Sequence, residues 1–243
     1  MAATLLLGAP ATRQSAWPAA SPGTPPGMRI AIPLLALAGL AALPAGAQAR
    51  LITYGSSLKA TPTIVEAHQA DTAFWPVAAT GGRAIRAPAT GQILAIRLKG
   101  TVLERSPGRA PLNQVHFQHL VPQGHGRMLV VQTSGAFAVP IGGPRGTVST
   151  FRPENLCVRR GDVVDFNDEG GWDPPFYQDG APFRVFAKVG GARVASYTAN
   201  NATNNGATLA PTARGGEELL MALVLGTGPQ EGVPCRNFNR GTG

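Results

Sequence analysis

From Arg50 onward, apolar and polar residues alternate with a period of two, in short runs separated by Gly, Pro, Asn and Asp. In Gly91-Gln-Ile-Leu-Ala-Ile-Arg-Leu-Lys99, Leu94, Ile96 and Leu98 fall on one face, with Arg97 and Lys99 on the other. That is the pattern of a half-buried strand. Val115 and Phe117 alternate with His116 and Gln118 in the next run, and residues 127–133, 162–167, 182–189 and 193–198 predict further strands. Residues 217–226 are apolar on both faces, with Leu219, Met221 and Leu223 opposed to Leu220, Ala222 and Val224. Gly215-Gly216 and Gly226-Thr-Gly228 bound this run, which predicts one central strand rather than a helix. No stretch carries three turns of a capped amphipathic helix, and residues 63–70 are the best candidate for a short one. Many short strands with turn chemistry between them predict an all-β chain folded as an antiparallel, jelly-roll-like β-sandwich.

The first 49 residues read differently. Met28-Arg29 gives a short positive start, and residues 30–43 form an apolar run interrupted by Pro33 and Gly39. Ala47-Gln-Ala49 then supplies small residues where a signal peptidase cuts. The order matches a secretory signal over residues 28–49, and the run is short for a membrane span. Residues 1–27, rich in Ala, Pro, Ser and Gly, are either a disordered leader or lie upstream of a true start at Met28. Residues 50–243 then form a single exported domain, long enough to bury a substantial core.

Composition adds little to function. The chain has 243 residues and a net charge of +8, of which Arg13 and Arg29 lie before the exported domain. The basic residues are scattered, with Arg159-Arg160 the adjacent pair in that domain. No stripe for nucleic acid is visible, although weak attraction to anionic envelope polymers fits the sign of the charge. The two cysteines, Cys157 and Cys235, predict one disulfide in an exported chain. Closing that loop is worth about 4 kcal/mol in the chain-entropy model.

Several segments together resemble a family. They are Ala87-Pro-Ala-Thr-Gly91-Gln-Ile93, Leu98-Lys-Gly100, Val115-His-Phe117-Gln and Cys157-Val-Arg-Arg-Gly-Asp162-Val-Val-Asp-Phe166. In that order they resemble uncharacterised secreted bacterial β-sandwich proteins, in which a P-x-x-G-x-I strand precedes a G-D-x-V-x-F strand. The resemblance covers most of the exported domain and implies the architecture, with no catalytic residue to carry over. Jelly rolls of this shape often bind carbohydrate, an analogy at the level of fold.

The densest candidate chemistry lies in residues 162–179. Trp172, Phe176 and Tyr177 flank Pro174-Pro175 and would suit stacking on sugar rings, with Asn167, Asp168 and Asp173 bonding to hydroxyls. Burial of the same aromatics in a core is the competing account. Asp165, Asp168, Glu169 and Asp173 offer oxygens for calcium. The EF-hand order is absent, and a turn in which Asp and Asn satisfy nearby backbone accounts for the same residues.

His116 and His119 form H-x-x-H, whose members face opposite sides of a strand and so do not make a zinc pair. Glu217-Glu218 could place one carboxylate, with Asp165 as partner, in a glycosidase-like pair; only one of two adjacent strand residues can face a cleft. Ser134 lacks the G-x-S-x-G elbow of a serine hydrolase. Asn201-Ala-Thr203 fits an N-glycosylation site. The expectation is a secreted, non-catalytic protein that binds carbohydrate or a cell-envelope polymer. A polysaccharide hydrolase or lyase using Asp165, Glu217 or His116 is the alternative, and a purely structural extracellular protein the third.

Overall fold

The period-two runs become strands, and the computed structural model describes residues 50–104, 113–170, 179–198, 204–228 and Cys235. All fall within the unit Ala45–Gly243. The leader, the signal segment, Trp172, Asp173, Phe176, Tyr177 and the Asn201 sequon lie outside the described residues.

In chain order the strands are β1 (Arg50–Gly55), β2 (Ile64–Glu66), β3 (Thr72–Ala78), β4 (Gly91–Lys99), β5 (Thr101–Val102) and β6 (Gln114–His116). They continue with β7 (Gln118–Pro122), β8 (Met128–Thr133), β9 (Val148–Phe151), β10 (Cys157–Val158) and β11 (Val163–Val164). The last are β12 (Phe166–Gly170), β13 (Phe183–Thr198), β14 (Thr208–Leu209), β15 (Thr212–Leu219) and β16 (Met221–Thr227). A 3-10 turn at Thr80–Gly82 is the one helical element among the described residues, and none of their helices is long and apolar enough to cross a membrane.

Among the described residues the ladders form three antiparallel sheets. One has the order β1-β16-β4-β10 with β9 also on β4; the second is β11-β7-β8-β14. The third runs β15-β13-β3-β12-β6, with β2 and β5 also on β13. The main core lies between the first and third sheets. Ile93, Ile96 and Leu98 of β4 and Leu223 and Leu225 of β16 belong to one cluster with Phe74, Phe166, Phe183 and Phe186. Each of these side chains is worth about 1.5–3 kcal/mol on burial. The other face of β3 also buries: Ala73 and Trp75 join Leu120, Val130, Val163 and Leu209 in a second cluster. The result is a β-sandwich whose third sheet is covered on both sides along β3.

Two crossings build the sandwich. β15 lies in the third sheet and β16 in the first, so the apolar run 217–226 is two strands meeting at Leu220 rather than one. Leu219, Met221, Leu223 and Leu225 enter the main core on either side of that crossing, while Leu220 and Ala222 are buried outside both clusters and Val224 is half-buried. Beside it the chain crosses from β4 to β5 at Gly100, where Lys99 N–H donates to Leu220 O at 2.9 Å. Gly100 has φ 131°, and a Cβ there would collide with the carbonyl oxygen of Arg184, so the close crossing requires glycine.

Other departures are local. Residues 63–70 hold the short strand β2 instead of a helix, because Ile64 and Glu66 find partners on β13. In β4 the register against β16 shifts between Val224 and Leu225. This bulge turns Ile93 inward together with Ile96 and leaves Leu94 half-buried. The runs 182–189 and 193–198 join as the 16-residue β13, which passes through Gly190-Gly191 with a register shift. Cys157 on β10 is disulfide-bonded to Cys235, with Cα atoms 5.9 Å apart.

Candidate functional site

The strand expected over residues 162–167 is bent, and it runs on through residues 168–170, where the sequence predicts a turn. β11 and β12 are separated only by Asp165, and they pair with β7 and β6, themselves separated by Phe117. The two-stranded ribbon therefore leaves the second sheet and enters the third at Asp165. Alternation sends Val164 and Phe166 to the main core, while Val163 belongs to the second cluster.

Asp168 and Asn167 have no exposed surface. His68 Nε2 donates to Asp168 Oδ2 at 2.6 Å, and His68 Nδ1 donates to the Glu66 carbonyl at 3.2 Å. Asp168 also accepts from Ala181 N–H at 2.7 Å and from Gly170 N–H at 3.1 Å. Gly170 and Ala181 stand on either side of the segment that carries Trp172, Phe176 and Tyr177 in sequence. One buried carboxylate thus ties both flanks of that segment to β12 and to His68.

The remaining histidines of the ribbon are paired in the same way. His116 Nε2 donates to Glu169 Oε2 at 3.0 Å and its Nδ1 to Ser134 O at 2.9 Å. His119 Nε2 donates to Asp162 Oδ2 at 2.6 Å, and the same oxygen accepts from Arg159 N–H. The H-x-x-H pair therefore serves two separate carboxylates, as strand alternation requires. Of the oxygens considered for calcium, Asp168 is committed to His68 and Glu169 to His116. Among the described residues no group of three or more His, Cys, Asp or Glu is arranged to hold a metal.

Asp165 is fully buried, and its Oδ1 accepts from Gln118 N–H at 2.9 Å. Its Oδ2 has no partner among the described residues. Burial pushes its carboxyl well above the usual carboxylate range; the Gln118 amide offsets part of this, and the charge of Asp71 adds to it. The sign of the stability effect follows. The unfolded chain releases this proton near pH ~4, while the folded chain keeps it, so stability falls as pH rises from there toward the folded value. Asp165→Asn keeps the Oδ1 acceptor and removes the ionisation. The variant is expected to gain on the order of 1–3 kcal/mol at pH 8, the scale of an uncompensated buried polar group, and to match the parent near pH 4. Urea unfolding at the two pH values checks this.

A recess elsewhere on the fold was not legible beforehand. It has a volume of about 320 Å³ and is lined by β1 and the residues after it, by the turn after β3, and by β15. Thr53, Ser57, Thr80 and Arg83 are exposed at its surface, and Tyr54, Ser56, Ala79 and Glu218 form its buried part. Gly215-Gly216, with Gly216 at φ 77° and a register shift against β13, interrupts the alternation of β15 and brings Glu217 beside Arg214, with an Nε–Oε2 distance of 3.7 Å, while Glu218 lines the recess. Of the adjacent pair, one carboxylate does face a cleft. Asp165, its expected partner, is not part of the lining. The Tyr54 hydroxyl is buried without a partner among the described residues; burial, and then the charge of Asp162, pushes its pKa up.

The recess and the acidic ribbon are distinct places. Asp168 pairs with Thr72 at the start of β3, whereas Ala79 and Thr80 of the recess follow its end at Ala78. Compared with family models, with curated proteins and with solved structures, the chain matches none.

Proposed function

We propose that this is a secreted β-sandwich protein that binds carbohydrate or a cell-envelope polymer without transforming it. The observation that carries the reading is the recess: three exposed hydroxyls, a guanidinium and a carboxylate around about 320 Å³. Its size is at the lower end of small-ligand sites, roughly 300–1,000 Å³. Hydroxyl-rich walls with one charge of each sign suit a polyhydroxylated ligand, whose groups both donate and accept. Glycoside cleavage uses two opposed carboxylates, and Glu218 is the one acid in this lining. That favours binding over the hydrolase reading.

The aromatic residues Trp172, Phe176 and Tyr177 remain the proposed stacking platform. In this reading Asp168 and Asn167 act from within the sheet, where Asp168 fixes the backbone on both sides of that segment. Calcium, if it takes part, would need Asp173 and ligands other than the committed Asp168.

A glycan array probed with the purified protein, in calcium and again in chelator, tests the reading. The expected result is selective binding that falls more than roughly tenfold in Thr80→Trp, which fills the recess from its exposed rim. Trp172→Ala shows whether the aromatic segment shares the ligand. Absence of binding to every glycan in both conditions would sink the proposal. Sequencing the exported protein from its amino terminus should begin at Arg50, the first residue of β1.

A further inference from the structure

Glu218 is the unusual group of the recess. It is 5% exposed and lines the recess, with no hydrogen bond or ion pair among the described residues and with its oxygens open to the recess. Arg214, four residues away on β15, bonds to Glu66 at 2.7 Å and lies beside Glu217. Arg83 lines the same recess but forms no ion pair with Glu218. The Glu218 carboxylate oxygens are not among the buried atoms left without a partner, so the solvent of the recess reaches them. A ligand that brings a cationic donor can take that place, because a charge-assisted hydrogen bond is about twice as strong as a neutral one. Around it, Thr53, Ser57 and Thr80 present hydroxyls that suit a ligand with hydroxyls of its own.

We infer that the recess selects sugars carrying a free, protonated amine, with the ammonium on Glu218 and the ring hydroxyls on Thr53, Ser57 and Thr80. This rests on the binding function proposed above and names its ligand class. The N-acetylated form of such a sugar lacks the charge and brings a bulkier amide to the floor of the recess. A neutral glucose polymer has a hydroxyl there, which donates without charge. Both should bind less well.

The test is calorimetric titration of the purified protein with three short oligosaccharides of equal length: glucosamine, N-acetylglucosamine and glucose. The glucosamine oligomer is expected to bind at least roughly tenfold more tightly than the other two. Glu218→Gln, nearly isosteric and neutral, is expected to erase that preference while the melting temperature stays near the parent's. Should this variant fail to fold, Glu218→Asp, which withdraws the carboxylate by one methylene, is expected to shrink the preference. The preference of the unmodified protein is informative in any case. Equal affinity for the three oligomers, or a preference that survives Glu218→Gln, would overturn the assignment to Glu218 and leave the binding function standing. No affinity for these three, with binding to other glycans on the array, has the same consequence. Silence toward all glycans overturns both.

Discussion

Asp168→Ala is expected to destabilise the fold by about 3–5 kcal/mol, because each buried donor left unsatisfied costs about 1–3 kcal/mol. The substitution strands three donors at once: His68 Nε2, Gly170 N–H and Ala181 N–H. His68 cannot turn to water for a replacement, because its side chain is 4% exposed and its ring packs against Phe74 and Phe183 at centroid distances of 5.1 and 6.0 Å. The effect should therefore appear as a lower urea midpoint with an unchanged slope. Gly180→Ala offers an independent check, since a Cβ at Gly180 would collide with the His68 imidazole. It should weaken the same clamp while leaving Asp168 in place. If Asp168→Ala cost less than about 1 kcal/mol, as for an exposed pair, the clamp would not be a structural anchor. Because Asp168 also joins the flanks of the Trp172 segment, the variant should lose any glycan binding that depends on Trp172 before it loses the fold.

Cys157→Ser with Cys235→Ser is expected to cost about 4 kcal/mol by the entropy of closing a loop whose ends are 78 residues apart. For a domain of this size that corresponds to a fall of roughly 10 °C in melting temperature. Cys157 is 7% exposed on β10 and pairs with Gln92 of β4. The bridge therefore anchors the C-terminal part of the chain to a strand next to the main core. Scanning calorimetry of the double variant, and of the parent with and without reductant, would measure it. A melting temperature within about 2 °C of the parent's would show that the loop is constrained by other contacts already.

The strands of this protein were largely legible because a sandwich core sets a period of two and the chain keeps to it. The run Gly91–Lys99 is a strand over its whole predicted length, and the Cys157–Cys235 pairing followed from there being two cysteines. What misled was always a place where the pairing partner decides. Ile93 and Ile96 both face the core only because a bulge against β16 shifts the phase of β4 between them. The run 217–226 reads as one strand because nothing in it marks Leu220 as a crossing between sheets. Residues 63–70 become a strand because β13 offers them an edge.

The acidic residues teach the same lesson more sharply. A stretch such as Asp165-Phe-Asn-Asp-Glu169 looks solvated, since charged residues are almost never fully buried unless paired. Here Asp168 and Glu169 are paired with residues far along the chain: His68 is 100 residues from Asp168, and His116 is 53 from Glu169; Asp165 is buried with only the Gln118 amide for a partner among the described residues. No local pattern announces such a pair. The recess is likewise assembled from β1, the turn after β3 and β15, three segments with no shared motif.

The sequence by itself determined the class: alternating strands, glycine and proline turns, a two-cysteine staple and apolar content enough for a sandwich. These depend on interactions between near neighbours, or on counting, and both are visible in a linear string. The tertiary structure alone decided where the bends and crossings fall, which acids are buried beside histidines, and that Glu218 rather than Glu217 faces an open recess. Those outcomes depend on which distant segments meet, because a buried charge takes its properties from the groups that replace its water, and those groups are brought to it only by the fold.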